Sequence, residues 1–388
     1  MSGVVIVGGG LAGQRCAETL RRNGYEDRIL MVCAERHLPY DRPALSKEVL
    51  SDATFEERLS FRSDRWYEEK SIRLRLGVSA IGLDDREKTV RLSDGSDAAY
   101  DHLLIATGAR PRRLSAFEGY ANVSALRTRE DAHGLRAALV PGARLLVIGA
   151  GFIGQEVASA ACLAGAQTTI VEAAFVPLQS TLGNRLGGWF ADLHRSNGVE
   201  LLLERRVVGV HGERQVESVT LEDGRTLPCD HVVVGVGVEP ELRWLRDSPL
   251  DTAGVRTDVD GRTDLPGVYA AGDAAAAFDP LLERHVLGNH WESAGRQGSR
   301  AGKAMLGLDC GPPSVSSFWS DLYGTRIHYL GHASVADDVT FDGDPRSRDF
   351  TATFTRGERP VAVLLVGRPR LLPEARELLR AATEMAFA

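Results

Sequence analysis

A glycine-rich loop that follows a short apolar strand and opens a helical pattern occurs twice in this chain of 388 residues. Both loops have the spacing Gly-x-Gly-x-x-Gly. These glycines permit a tight turn, a close approach of the backbone to a pyrophosphate, and close packing of helix on strand. The helix N-terminus behind each loop presents free N–H groups and the positive end of a dipole to phosphates. The glycines are Gly8, Gly10, Gly13, Gly149, Gly151 and Gly154. The two loops predict two dinucleotide sites.

Both loops are followed by a second strand that ends near a glutamate. A carboxylate about 20 residues beyond the loop accepts hydrogen bonds from ribose hydroxyls, and Glu35 and Glu172 hold this position. The predicted strands of the two units are residues 4–7, 28–33, 144–148 and 167–171. No lysine or arginine occurs among residues 173–177, which favours NADH over NADPH at the second site. Two nucleotide sites on one chain predict hydride transfer from a nicotinamide, bound at the second loop, to a flavin at the first.

Composition argues against several other classes of protein. The net charge of −7 does not suit a protein that binds nucleic acid through overall positive charge. No apolar stretch is long enough to span a bilayer and no basic leader precedes the first strand, so we predict a cytoplasmic protein that does not act at a membrane. The cysteines show neither metal-ligand spacing nor a disulfide framework, so we expect no metal site. They are Cys16, Cys33, Cys162, Cys229 and Cys310.

Several further segments make the chain resemble a known family. They are residues 39–47 (PYDRPALSK), 103–111 (LLIATGARP), 149–156 (GAGFIGQE), 267–273 (GVYAAGD) and 318–321 (FWSD). Together with the first glycine loop, they resemble the FAD-dependent, NAD(P)H-dependent ferredoxin reductases of oxygenase systems. The resemblance covers nearly the whole chain.

The resemblance implies an α/β fold with two Rossmann-like dinucleotide-binding domains, arranged as in glutathione reductase, and a small α+β C-terminal domain. The predicted FAD domain is discontinuous and comprises residues 1–112 and 240–311, the NAD domain comprises 113–239, and the C-terminal domain comprises 312–388. In this last region the hydrophobic pattern itself predicts strands at 327–330, 350–354 and 361–366 and a helix at 373–384.

The resemblance assigns FAD contacts to residues spread along the chain. They are Gly8, Gly10, Gly13, Glu35, Arg42, Pro43, Lys47, Thr107, Gly108, Arg127, Gly272, Asp273, His290 and Trp291. Asp273 is expected at the ribityl chain. Lys47 is expected beside the flavin ring, where a cation stabilises the anionic reduced flavin. For Arg127 a surface ion pair is an open alternative, and for Trp291 packing in the core is another.

The resemblance also assigns the residues that contact NAD, which are Gly149, Gly151, Ile153, Gly154, Glu156, Glu172 and Gly237. Glu156 is expected on the first turn of its helix, where it meets the nicotinamide amide and pairs with Lys47. The helix dipole alone also favours a carboxylate at a helix start. Lys47, Glu156 and Trp319 form the predicted catalytic set. Trp319 is expected on the nicotinamide side of the flavin, with core packing as the alternative.

The absence of a cysteine between Cys33 and Cys162 bears on where the electrons go. Without a low-pKa thiolate at the flavin, electrons are expected to leave from the flavin edge directly or through Trp319. The resemblance implies a [2Fe-2S] ferredoxin as acceptor, feeding a haem monooxygenase or a Rieske oxygenase, and we expect a monomer or weak homodimer. Two other functions stay open. One is a flavin reductase acting on a quinone, nitro compound or biosynthetic intermediate; the other is a slow redox sensor holding FAD and NAD.

An acidic ferredoxin requires a basic patch on this acidic chain. The candidate cations are Arg296, Arg300 and Lys303, at helical spacing, and Arg346, Arg348, Arg356 and Arg359. The alternative is that these side chains form an ordinary solvated face.

Overall fold

The computed structural model describes residues 3–280, 282–288, 290–313 and 315–384. Its helices in chain order are α1 (Leu11–Arg22), α2 (Glu48–Ser51), α3 (Asp64–Glu69), α4 (Arg129–Ala138), α5 (Phe152–Leu163), α6 (Gln179–Ser196), α7 (Trp291–Met305) and α8 (Leu372–Glu384). Among the helices of this described part, none is both long and apolar enough to cross a bilayer.

The strands of the described residues form three five-stranded sheets and four smaller ones. In chain order they are β1 (Val4–Val7), β2 (Ile29–Cys33), β3 (Ile72–Leu76), β4 (Ala80–Asp84), β5 (Thr89–Leu92), β6 (Asp97–Ala99), β7 (His102–Ile105), β8 (Ala109–Pro111), β9 (Val123–Ser124), β10 (Arg144–Ile148), β11 (Gln167–Val171), β12 (Glu200–Leu202), β13 (Val207–His211), β14 (Ser218–Leu221), β15 (Thr226–Pro228), β16 (His231–Val234), β17 (Val238–Pro240), β18 (Val255–Thr257), β19 (Val268–Ala270), β20 (Ala275–Asp279), β21 (Arg284–Leu287), β22 (Ser317–Leu322), β23 (Thr325–Gly331), β24 (Asp338–Asp344), β25 (Asp349–Arg356) and β26 (Arg359–Val366).

The first large sheet carries the first glycine loop. Its strand order is β19-β7-β1-β2-β3 and every pair in it is parallel. Residues of β1 and β2 are buried throughout, as continuous apolar runs in a parallel sheet with both faces covered must be. Helix α1 packs against α7, which lies far along the chain. The unit is therefore built from two separate pieces of the chain.

The second large sheet repeats this design around the second loop. Its order is β12-β11-β10-β16-β9, and all of its pairs are parallel. Strands β10 and β11 have the bounds that the hydrophobic pattern predicted. Because the carboxyl ends of parallel strands share one edge, β10, β11 and β16 bring their following loops together there.

The chain crosses between these two units at a short antiparallel pair, β8 with β17. The smaller sheets are β4-β5-β6, β13-β14-β15 and β18-β20-β21. The predicted boundary at 112–113 lies just after β8, and the one at 239–240 falls within β17. The exact limits of the domains stay a prediction.

The third large sheet lies in the C-terminal region and is antiparallel, in the order β22-β23-β26-β25-β24. Helix α8 packs on β26 and β23. The three strands and the helix predicted here are present, with strand ends extended by up to two residues. Strands β22 and β24 were not predicted from the pattern, since β24 is an exposed edge strand rich in aspartate.

Candidate functional site

The first glycine loop is shaped by close backbone contacts. Gly8 has a φ of +124°, and a Cβ there or at Gly13 would lie within 3.0 Å of backbone atoms of Ala106 or Gly8. Gly10, the N-cap of α1, instead has open space around its Cβ position. The first turn of α1 carries no acidic side chain. The loop thus leaves free N–H groups facing an open cradle, which suits a pyrophosphate.

The second loop has the same construction. Gly149 has a φ of +101°, and a Cβ at Gly149 would lie within 3.0 Å of the Gly235 backbone. A Cβ at Gly154 would lie equally close to the Gly149 carbonyl, so this residue serves the packing of α5 on β10. Gly151 caps α5 and is open, with its nearest neighbour 3.7 Å from the Cβ position.

The two glutamates predicted at the riboses are held differently. Glu172 accepts hydrogen bonds from the backbone N–H groups of Ala150 (2.6 Å) and Ala174 (2.8 Å), which fixes its carboxylate at the second loop. Glu35 accepts from the Tyr40 hydroxyl (2.6 Å) and from the Arg42 guanidinium (2.5 Å). Burial raises the pKa of Tyr40 above its usual range, so its hydroxyl remains a donor. Sequence reasoning did not assign a role to Tyr40, although it lies in the segment 39–47.

The structure corrects the argument drawn from the residues after Glu172. Strand β12 lies beside β11, and the loop that follows it brings Arg205 and Arg206 to the same large cleft as Glu172. The backbone N–H of Arg205 donates to the Glu172 carbonyl (3.0 Å), and its guanidinium pairs with Asp223 (2.8 Å) and not with the Glu172 carboxylate. No basic residue follows Glu172 among residues 173–177, but in the folded protein Arg205 and Arg206 line the same cleft as Glu172.

A cavity of about 500 Å³ brings together residues from both loops and the C-terminal region. The predicted site residues that line it are Gly10, Arg42, Pro43, Lys47, Gly108, Arg127, Gly151, Ile153, Glu156, Gly237, Gly272, Asp273, His290, Trp291 and Trp319. A second, larger cleft of about 1940 Å³ is lined by Gly149, Gly151, Glu172 and Gly237. Gly8, Gly13 and Gly154 do not line either cavity but allow close packing of the backbone around them. Glu35 does not line a cavity either, but it accepts a hydrogen bond from the lining residue Arg42.

Lys47 and Glu156 form an ion pair of 2.8 Å in the wall of the smaller cavity, which confirms the predicted pairing. The two side chains are only 11% and 7% exposed. Glu156 also accepts from the Ser46 hydroxyl (2.5 Å) and the Ser320 hydroxyl (2.7 Å). Its placement on the first turn was wrong: α5 begins at Phe152, so Glu156 is the fifth residue, beyond the reach of the helix-start dipole.

The wall of the same cavity also contains Arg127 and Asp273, whose side chains lie 3.3 Å apart. Arg42 donates to the Arg127 carbonyl (2.7 Å) and so joins this group. Burial, and next the neighbouring Arg42 cation, lower the pKa of Arg127. The pair lies in the cavity and not on the outer surface, so the surface alternative for Arg127 is wrong.

A buried polar atom near this wall also points to a ligand. The hydroxyl of Thr107 is buried without a hydrogen-bond partner among the described residues, although a buried hydroxyl normally has one. Thr107 precedes Gly108, which has a φ of +70° and lines the cavity. The open glycine cradle, the carboxylates and this hydroxyl fit the groups that an FAD presents.

The two tryptophans of the site are partly exposed and lie edge to face, with ring centroids 5.2 Å apart. Trp291 is the first residue of α7, and Trp319 stands on β22 opposite His328. His290 stacks on Phe318, with centroids 4.2 Å apart. Both tryptophans line the cavity, so core packing alone does not describe them.

The predicted docking cations are mostly engaged within the fold. Arg300 pairs with Asp260 (2.6 Å), donates to the carbonyls of residues 310–312, and is 14% exposed. It therefore holds the segment before β22, and we withdraw it as a docking residue. Arg296 pairs with Glu292 and is 33% exposed. Arg356 pairs with Asp337 at 2.9 Å.

The cysteine nearest to the first loop is not suited to redox chemistry. Cys33 ends β2 and is buried, and its sulfur lies close to Gly9. Burial, and next the charge of Glu35, raise its pKa to about 12. The side chain is therefore a neutral thiol near neutral pH and not a nucleophile.

Comparison with known proteins gives consistent matches across the chain. The family model described as pyridine nucleotide-disulphide oxidoreductase matches residues 2–298, and the model described as reductase C-terminal matches residues 317–388. The anthranilate 1,2-dioxygenase system ferredoxin–NAD(+) reductase component of Burkholderia cepacia is 36% identical over 380 residues, covering 97% of this chain and 94% of that protein. The benzene 1,2-dioxygenase system ferredoxin–NAD(+) reductase subunit of Pseudomonas putida is 38% identical over 334 residues, covering 84% and 80%.

A solved structure agrees with these matches. The putidaredoxin reductase of the covalent putidaredoxin reductase–putidaredoxin complex superposes with a TM-score of 0.95 and 31% identity. The match covers 98% of this chain and 93% of that one. The predicted fold class, two dinucleotide-binding units with a C-terminal α+β domain, is confirmed.

Proposed function

Because the chain belongs to the pyridine nucleotide-disulphide oxidoreductase family, we propose that it is the reductase of an oxygenase system, with FAD as cofactor, NADH as hydride donor and a ferredoxin as acceptor. The observation that carries this function is the 500 Å³ cavity, in whose wall the two glycine loops meet at Gly10 and Gly151. Dinucleotides held at these loops extend into one shared space, which is the requirement for direct hydride transfer.

The first unit would hold FAD through residues with distinct tasks. The N-terminus of α1 at Gly10 would bind the pyrophosphate, Glu35 the ribose, and Asp273 the ribityl chain. Thr107 would find a partner for its buried hydroxyl. Bound FAD supplies the redox chemistry, because it takes up a hydride from NADH and returns the electrons one at a time.

The second unit would hold NADH through the N-terminus of α5 at Gly151 and through Glu172. Backbone N–H groups already fix the Glu172 carboxylate, and its remaining lone pairs are free to accept from ribose hydroxyls. Arg205 lines the same cleft, and its charge is only partly offset by Asp223, which also pairs with Arg225. We assign NADH as the donor because the relatives above are ferredoxin–NAD(+) reductases.

The Lys47–Glu156 pair prepares the shared space for charge transfer. Glu156 is held by three side-chain donors, from Ser46, Lys47 and Ser320, so it does not need to reorganise during the reaction. It keeps the Lys47 ammonium at the cavity wall, where a fixed cation stabilises developing negative charge in a site of low dielectric constant. The partly buried setting also excludes water from the reacting groups.

The finer points of the proposal concern the acceptor. Electrons are to leave toward the face that carries Trp291 and Trp319, since Cys33 is a neutral buried thiol. We assign a [2Fe-2S] ferredoxin, serving a Rieske oxygenase or a haem monooxygenase, because the relatives above are ferredoxin reductases of dioxygenase systems. A monomer or weak homodimer, in the cytoplasm where NADH is regenerated, completes the proposal.

The test is steady-state reduction of cytochrome c by the FAD-loaded protein and NADH, with and without an added [2Fe-2S] ferredoxin. We expect fast reduction only when the ferredoxin is present. Equal rates in its absence, together with saturable turnover of a quinone or nitro compound, would show that a small molecule is the acceptor instead.

A further inference from the structure

The C-terminal region contacts the second glycine unit at the end of β22. The backbone N–H of Tyr323, in the turn after β22, donates to the Ser159 hydroxyl on α5 (2.8 Å). Ser320, within β22, donates to Glu156 on the same helix. The end of this strand is therefore anchored to α5 by polar contacts and not by apolar packing alone.

A chain of hydrogen bonds starts at the same turn and runs through the interior. The Tyr323 hydroxyl lies 2.7 Å from Nδ1 of His194 on α6. Nε2 of His194 lies 2.9 Å from Oε1 of Gln155 on α5. The Gln155 amide nitrogen donates to the carbonyl of Ala150 (3.0 Å), the residue between the first two glycines of the second loop.

The donor and the acceptor of each of these hydrogen bonds can be assigned. Gln155 must turn its nitrogen toward the Ala150 carbonyl, which accepts but cannot donate, so its oxygen faces His194. Nε2 of His194 then carries the proton and Nδ1 accepts one from Tyr323. Burial lowers the pKa of His194 to about 4 and raises that of Tyr323, so the ring is neutral and the phenol is protonated near pH 7.

The series of hydrogen bonds is fully buried where it reaches the second glycine loop. His194, Gln155 and Ala150 are each 0% exposed, so water cannot replace a missing partner. Both backbone polar groups of Ala150 are hydrogen-bonded to side chains, since its N–H donates to Glu172 and its C=O accepts from Gln155. Leaving one of these buried groups without a partner is energetically unfavourable, so the loop conformation depends on the whole hydrogen-bond network.

We propose that Tyr323, His194 and Gln155 form a positioning relay through which the C-terminal domain fixes the Ala150 peptide and thereby sets the affinity for NADH. The inference rests on the proposed function in one respect, namely that NADH binds at the second loop. None of the three side chains touches the reacting atoms; each acts through the next. The domain that carries Trp319 is thus coupled to the nicotinamide nucleotide site.

The test compares Tyr323→Phe with a matched control, Tyr329→Phe, in the FAD-loaded protein. Tyr329 is also buried in the C-terminal sheet, but its hydroxyl accepts from the Ala333 backbone, and no hydrogen bond of the described residues joins that hydroxyl to α5. We expect Tyr323→Phe to raise the Kd for NAD⁺, measured by calorimetry, and the KM for NADH by about tenfold, while kcat at saturating NADH stays within about twofold. Tyr329→Phe should leave both constants unchanged.

A double-mutant cycle separates a relay from independent contacts. Gln155→Leu alone should weaken NAD⁺ binding as Tyr323→Phe does. The double variant should bind NAD⁺ with the same affinity as the single variant that binds it less tightly, because a relay interrupted at one residue is not further impaired by a second change. Additive effects, or an equal response of Tyr323→Phe and Tyr329→Phe, would overturn the proposal. If the parent protein itself binds no NAD⁺ and oxidises no NADH, the proposed function fails and not the relay alone.

If Tyr323→Phe does not retain FAD, Gln155→Glu takes its place. The carboxylate keeps an acceptor for His194 but loses the donor to Ala150, so NAD⁺ binding should again weaken about tenfold with the flavin absorbance unchanged. Unchanged NAD⁺ affinity in this variant would contradict the relay.

Discussion

Glu156 is the residue at which three parts of the chain meet, since its carboxylate accepts from Ser46, Lys47 and Ser320. The sequence predicted the pairing with Lys47 through the resemblance of two motifs. It did not predict the serines, because a serine leaves no periodic signal and its partner is decided by tertiary packing. Charged motif residues were thus foreseen, and the neutral groups that orient them were not.

At this residue, Glu156→Gln is expected to lower kcat/KM for NADH by about 10- to 100-fold while FAD remains bound. The substitution keeps the shape but leaves the Lys47 ammonium, 11% exposed, without its counter-charge. Steady-state kinetics and the flavin absorbance measure both quantities. The control is Glu69→Gln, which breaks the exposed pair with Arg65 and should change neither. Equal kinetics of the two variants would exclude a catalytic role for the pair.

A second prediction at this scale concerns His194 and pH. Its pKa in the folded protein is about 4, below the unfolded value of about 6.5, so the unfolded chain binds the proton first. The contribution of His194 to stability is therefore complete above about pH 6.5 and is lost as the pH falls toward 4. Between pH 6.5 and pH 5 the free energy of unfolding should drop by about 2 kcal/mol through this residue.

Chemical denaturation at the two pH values measures this loss. The variant His194→Gln should be less stable at pH 6.5 but should show a shallower pH dependence than the parent protein. Parallel pH curves for the two proteins would mean that His194 does not titrate as its burial requires.

Elements were predictable where burial is continuous. Strands β1 and β10 have the predicted bounds because apolar runs that lead into a glycine allow few alternatives, and β11 ends as predicted at Val171, directly before Glu172. Strand β24 was missed because it is an edge strand whose sequence, DVTFDGD, has only two alternating apolar residues, Val339 and Phe341, which is too short a pattern to predict a strand. Likewise, Arg205 lies near Glu172 because β12 is the neighbour of β11 in the sheet, and the sequence of a strand does not predict which strand lies beside it.

The contact of α1 with α7 supports a prediction at the level of elements. A Cβ at Gly298 on α7 would lie within 3.0 Å of the Ala12 backbone on α1, which also forms the FAD loop. Gly298→Ala should therefore push the helices apart, lower the stability by about 1–3 kcal/mol, and weaken FAD binding. The matched control is Gly134→Ala on α4, where the added Cβ meets open space.

Thermal unfolding and FAD retention on a desalting column read out both variants. The control should be neutral or up to about 1 kcal/mol more stable, because alanine is the better helix former. A Gly298→Ala protein that keeps its FAD and its melting temperature would show that the two helices are not in the tight contact described.

For the whole molecule, the net charge of −7 and an acidic ferredoxin repel each other at long range, so docking must rely on local cations. The face beside Trp291 carries the partly exposed Arg296 (33%) and Arg376 (37%), which share the single carboxylate of Glu292. This group has one positive charge in excess next to the proposed electron exit. Among the cations suggested by the sequence, Arg296 belongs to this group.

Arg296→Gln is therefore expected to raise the KM for ferredoxin about threefold at low salt, since an exposed charge contributes up to about 1 kcal/mol. The difference from the parent protein should shrink as salt screens the interaction. NADH oxidation with ferricyanide should stay unchanged, because the cavity with Lys47 and Glu156 is intact. The control, Arg225→Gln, removes a similarly exposed arginine that pairs with Asp223 in the second unit, and it should leave the KM for ferredoxin unaltered. If both variants change this KM equally, the reductase responds to total charge, and the face beside Trp291 is not where the ferredoxin docks.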